Sequence, residues 1–167
     1  MWDVLALAVV VVVAYKIAIA PRSLKAADAF PAPRVSYASL GGPPFVLARH
    51  RGRVVFLDFW ASWCEPCKAQ MPLVEAFARN HPGVDVVPVD VGEPPAVAAA
   101  YAHGHDLRDV VVDPKALSSG FFQLDGFPTM VVVDPQGRIR ATWTGFNPAI
   151  EFNMSHAERS LSPHSDS

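Results

Sequence analysis

The stretch from Arg53 to Trp60 reads Arg-Val-Val-Phe-Leu-Asp-Phe-Trp. After the arginine, a single acid, Asp58, interrupts an apolar run of strand length. A strand with one wet face alternates apolar and polar residues; this one does not, so it predicts burial on both faces. Shortly after it comes Cys64-Glu65-Pro66-Cys67, and a helical pattern follows to Asn80. Met71, Val74 and Ala78 lie on one stripe of that helix, with Leu73 and Phe77 beside it. A doubly buried strand feeding an amphipathic helix needs a layer on each side, which is an α/β architecture.

The rest of the chain extends this pattern. A second strand is expected over 84–90, with Pro88 at an edge or bulge because its missing N–H costs a ladder bond. An Ala-rich helix over 94–103 opens on prolines suited to a first turn. A short strand over 110–113 and a short helix over 114–124 follow. A strand over 129–134 turns through Pro135-Gln136-Gly137 into a hairpin partner over 138–144. Asn147-Pro148 suits the cap and first turn of a last helix reaching Leu161. This order predicts parallel pairing first and an antiparallel edge afterwards.

Length and charge narrow the function. The chain has 167 residues, enough for one domain and a short extra segment. With 14 basic against 16 acidic residues, nucleic acid is not its main partner. Two cysteines cannot staple a small secreted scaffold, nor alone fill a four-ligand zinc site. From Val4 to Ala20 the only charge is Lys16, and as a helix this stretch reaches roughly 25 Å. It reads as a membrane anchor or export signal over 1–20, because a buried core helix would need a polar face. Lys16, Arg22 and Lys25 follow the apolar run, an order that by itself favours a cytoplasmic domain. A linker over 21–34, marked by Pro21, Pro31 and Pro33, then leads to a domain over 35–161 and a frayed tail over 162–167.

The chemistry lies in the two cysteines. Cys64 falls at the helix end, where unpaired N–H groups and the dipole favour a thiolate. A thiol with a pKa of about 8.5 is ~3% ionised at pH 7, and one shifted to about 7 is half ionised. Cys67 lies one turn inside, shielded, placed to resolve a mixed disulfide. Pro66 fits the first turn. The other readings of such a pair are two buried thiols or half a zinc knuckle; no second Cys-x-x-Cys or Cys/His pair completes a knuckle, and a pair that follows a buried strand and opens a helix favours redox chemistry. His103-Gly104-His105 has no third ligand nearby and reads as a solvated loop. Arg49-His50-Arg51-Gly52-Arg53 reads as a basic turn.

The stretch Val55 to Lys68, with Pro72 five residues past Cys67 and Phe127-Pro128-Thr129 further on, resembles the thioredoxin superfamily. Within it the chain is most similar to the membrane-anchored TlpA/ResA-like thiol–disulfide oxidoreductases. The apolar amino end, Ala32-Pro33 leading to Phe45-Val46-Leu47, and an added helix–strand unit at about 92–113 carry that likeness. The resemblance spans about 31–146. It implies a thioredoxin-like α/β fold: a central mixed sheet flanked by helices, with a leading hairpin and a helix–strand insert.

The resemblance also implies roles. Cys64 and Cys67 form the redox disulfide. Asp58, buried beneath the pair, accepts the Cys67 proton, and Glu93 from the insert does similar work. Trp63, Glu65, Pro66, Phe127 and a cis Pro128 meet the substrate, with Glu65 opposing thiolate formation. No cofactor is implied. The implied activity is reduction of protein disulfides outside the cytoplasm, an apocytochrome c among the candidates, fed by a membrane electron donor. The alternatives are a metallochaperone holding copper on the same dithiol and a redox-inert binding module.

Overall fold

A computed structural model describes residues 6–12 and 30–162. Its centre is the strand β4 (Val55–Trp60), buried at every position as its composition requires. Before it come β1 (Phe30–Pro31), β2 (Ser36–Ser39) and β3 (Phe45–Val46). After it come α1 (Glu65–Asn80), β5 (Asp85–Val91), α2 (Pro95–Gly104), β6 (Val111–Asp113) and α3 (Leu117–Phe122). The chain continues through β7 (Thr129–Val133), β8 (Arg138–Thr144) and α4 (Ile150–Leu161). The described strands form one sheet in the order β1-β8-β7-β4-β5-β6-β2-β3. β4 runs parallel to β5 from Val55↔Asp85 to Trp60↔Asp90, and antiparallel to β7 from Val55↔Val133 to Phe59↔Thr129.

Alternate residues of β4 serve different layers, as strand pleating dictates. Phe56 packs with Val74 and Phe77 of α1 and with Met154 and Ala157 of α4. Trp60 packs with Cys64, Cys67, Met71 and Ala102. Val55, Leu57 and Phe59 face the opposite layer, where Val35, Tyr37, Phe45, Leu47 and Phe122 lie. The β2–β3 hairpin pairs Ser36 with Val46 and joins the sheet through β6. The helix–strand insert is α2 and β6, with β6 parallel to β5.

Several boundaries differ from the sequence expectation, each for a local reason. Pro88 sits inside β5 rather than at an edge, paired with Asp58. The ladder to β6 begins only at Val89, so β5 has a partner on one side alone at the proline. Phe30–Pro31 pairs with Ile139 and Arg138, so the sheet starts within the stretch read as linker; an edge strand tolerates the proline. α3 starts at Leu117, because Ala116 takes a left-handed φ of 52° and Asp113 Oδ2 accepts the Ser118 N–H at 2.7 Å. Asn147 shapes a turn ahead of α4 instead of capping it: its Oδ1 accepts from Ala149 N at 3.0 Å. Residues 6–12 are helical, and no described helix is long and apolar enough to cross a membrane. The rest of the segment over 1–20, most of the linker, and residues 163–167 of the tail lie outside the described residues.

The packing makes a stability prediction. Phe56 is fully buried, and its ring meets that of Phe77 edge-on at 5.6 Å. Phe56→Ala should cost about 3–5 kcal/mol in urea unfolding. A loss below about 1 kcal/mol would mean that this layer is not the core.

Candidate active site

Where β4 ends, the chain must leave the sheet and enter α1. Cys64 N–H donates to the Ala61 carbonyl at 3.1 Å, closing a tight turn, and Lys68 N–H donates back to the Cys64 carbonyl at 3.2 Å. Cys64 is therefore the N-cap of α1, with Pro66 in the first turn. Its Sγ accepts the Cys67 N–H at 3.2 Å. The two cysteines are joined by a disulfide, with Cα atoms 5.3 Å apart. Their residues are 4% and 2% exposed, so accessibility does not separate them. The N–H that points at Cys64 does, because it supports negative charge on that sulfur alone. Glu65 pairs with Lys68 at 2.5 Å, which offsets the repulsion its charge would offer a Cys64 thiolate.

Around the disulfide is an aromatic rim. Trp63 is 66% exposed, and its ring lies 5.9 Å from that of Phe127. The Phe127–Pro128 peptide bond is cis. Thr129 Oγ1 donates to the Gly126 carbonyl at 2.7 Å and holds the base of that loop. Phe146, which the sequence reading passed over, is held at the same rim. Gly145, at φ 85°, donates its N–H to the Pro128 carbonyl at 2.8 Å. Asn147 donates its N–H to Gln70 Oε1 at 2.9 Å. Gln70 lies on α1 one turn past Cys67, and Phe146 between the two tethers is half exposed. Only the fold reveals this, since Phe146 stands far from the cysteines in sequence.

Four carboxyl groups on β4, α1, β5 and the loop after β5 bear on this end of the fold. Asp58 falls between Phe56 and Trp60 on the α1 side of β4, between the Cys67–Met71 cluster and the Val74–Phe77 cluster. It is buried, and its Oδ1 has no hydrogen-bond partner among the described residues. Burial, with a smaller push from Glu75, raises its pKa to about 7. Burial also raises Glu75, against the pull of Arg79 and Arg108.

Glu93 is brought back by Gly92, whose φ of 81° only glycine takes easily and whose N–H reaches the Asp113 carbonyl at 2.9 Å. Its Oε2 accepts the Ser62 N–H at 2.5 Å, and its Oε1 accepts the Ser62 hydroxyl at 2.6 Å. Burial pushes Glu93 up, but the contacts with Ser62 and Asp90 outweigh it and hold the carboxyl below its ordinary value. Asp90, also passed over from sequence, is fully buried beside Trp60. Burial first, then Glu93 and Asp113, raise its pKa to about 8. The signal for it was its parity: it shares a face with Val86 and Pro88 in a strand otherwise apolar on that side.

A buried disulfide at the N-cap of a helix, beside a cis-proline loop, invites comparison with known proteins. Residues 52–139 match the family model described as thioredoxin-like. The thiol–disulfide oxidoreductase ResA of Geobacillus kaustophilus is 30% identical over 117 residues, 68% of this chain and 67% of that protein. A structure assigned as the thiol:disulfide interchange protein DsbE of Chlorobium tepidum superposes with a TM-score of 0.75 at 26% identity, covering 81% of this chain and 97% of that one. StoA of Bacillus subtilis shares the fold, with a TM-score of 0.63 at 24% identity over 74% of this chain and 98% of its own. The chain belongs to the thioredoxin-like family, among the thiol–disulfide oxidoreductases of the ResA and DsbE type.

Proposed function

We propose that the domain is a reductant of protein disulfides outside the cytoplasm, with an apocytochrome c as the candidate substrate. The disulfide at the N-cap of α1 carries this reading. In the reduced protein the Cys64 thiolate attacks a substrate disulfide. One substrate sulfur leaves as a thiolate, and a mixed disulfide forms. Cys67 then gives its proton to Asp58 and attacks the Cys64 sulfur. The second substrate sulfur leaves as a thiolate, and the Cys64–Cys67 disulfide remains. Two electrons pass to the substrate, and a membrane dithiol donor restores the pair.

The rim supports a protein substrate. Trp63, Phe127 and Phe146 give apolar contact, and backbone groups beside Pro128 can pair with an extended chain. The amino-terminal segment is read as the anchor. Leu7 and Val9 to Val12 are exposed on their helix instead of packing on the domain, which suits a lipid surrounding.

Reduced Cys67→Ser protein mixed with an oxidised protein substrate should accumulate a mixed disulfide through Cys64, seen as a mass shift on non-reducing analysis. Cys64→Ser should accumulate none. The opposite pattern would reverse the two roles.

The Asp58 role has a pH signature. With a pKa of about 7, Asp58 loses its proton as pH rises through neutrality and only then can accept one from Cys67. The acid limb of the rate profile should therefore lie near pH 7. Asp58→Asn should slow mixed-disulfide resolution roughly tenfold or more at pH 7. The deficit should shrink toward pH 9, where the thiol ionises unaided. An unchanged profile would make Asp58 purely structural.

A further inference from the structure

Two observations at the entry to α1 stand outside the exchange chemistry. Both Glu93 oxygens are committed to Ser62, one to its N–H and one to its hydroxyl. Ser62 belongs to the short loop between Trp60 and Cys64, the segment that sets where the attacking sulfur sits. A carboxylate bound on both oxygens and held below its ordinary value is a poor acceptor for a thiol proton. Behind it lies Asp90, 0% exposed, whose carboxyl interacts with that of Glu93 and whose oxygens have no other hydrogen-bond partner among the described residues. Trp60 Nε1, on the register partner of Asp90, is buried without a partner among the described residues. The charged groups acting on Asp90 are acidic: Glu93 from the loop after β5 and Asp113 from β6. On the α2 side stands Tyr101, its ring 5.2 Å from that of Trp60.

We propose that Glu93 is a positioning residue that clamps Ser62, and that Asp90 backs the clamp from inside the fold, so that the pair fixes the loop delivering Cys64. This rests on the thiol–disulfide reading of the site, although the clamp can be measured without turnover. A neutral Asp90 can sit against the Glu93 carboxylate at no electrostatic cost. An ionised Asp90 would set a second negative carboxylate against Glu93 with Asp113 acting in the same sense, a repulsion that works against the position in which Glu93 holds Ser62. The clamp should therefore hold at neutral pH and loosen in alkali, as Asp90 loses its proton above a pKa of about 8.

The test uses amide hydrogen exchange at Ser62 in the oxidised protein, expressed as protection over the unstructured rate, and iodoacetamide labelling of Cys64 in the reduced protein. Glu93→Ala should lower Ser62 protection about tenfold, and Glu93→Gln, which keeps one acceptor, should lower it less. Ser62→Ala and Glu93→Ala should change the Cys64 labelling rate in the same direction. Their combination should do no more than Glu93→Ala alone. Neither should move the acid limb of the turnover profile, since the proton acceptor is untouched. In the parent protein Ser62 protection should fall above about pH 8, and in Asp90→Asn it should not.

Independent effects of Ser62→Ala and Glu93→Ala would overturn the clamp. So would a shifted acid limb in Glu93→Ala, or equal alkaline loss of protection with and without Asp90. Failure of the parent protein to reduce any protein disulfide would instead overturn the proposed function, while the protection and labelling results would still decide the clamp.

Discussion

The structure depends on one constraint: β4 is covered on both faces. A strand placed between two layers cannot slide or tilt without exposing apolar side chains, so its end is fixed in space. Phe56, Leu57, Phe59 and Trp60 are all essentially inaccessible to solvent. The tight turn after Trp60 inherits that rigidity. It passes it to the first turn of α1, where the sulfur of Cys64 receives the Cys67 N–H. A nucleophile that must meet a substrate sulfur in line benefits from such a fixed base.

Burial also sorts the acids at that end of the sheet. Asp58 and Asp90 occupy neighbouring strands on the same face, and both are pushed up chiefly by loss of water. Glu93 loses water too, yet the hydrogen bonds to it win and keep it charged. Identical chemistry is thus divided by partners. The acid with an unpartnered oxygen beneath the cysteines is suited to take a proton, and the acid with both oxygens bonded is suited to hold a loop.

Much of this was legible in the residues. The apolar run broken only by Asp58 made β4 a central strand, and the Cys-x-x-Cys after it located the disulfide pair. The order of elements foretold parallel strands followed by an antiparallel hairpin, which β4, β5, β7 and β8 display. What escaped depended on pairing between distant segments. Pro88 is tolerated in an interior strand because β6 is short, and no local pattern reveals a neighbour's length. Phe146 joins the rim through bonds from its neighbours to Pro128 and Gln70, contacts made only in the folded chain. Asp90 was hidden by its position at the end of a strand, where an acid ordinarily reaches solvent. The hydrogen bonds of Glu93 to Ser62 likewise depend on how the turn at Gly92 folds back.

The central claim is that the acid under the cysteines carries a proton near neutrality. Carboxyl carbon NMR of the oxidised protein, with Asp58 assigned by comparison with Asp58→Asn, measures it directly. The account predicts a titration midpoint of about 7 for Asp58. A midpoint near 4, the ordinary value for an aspartate in water, would contradict it.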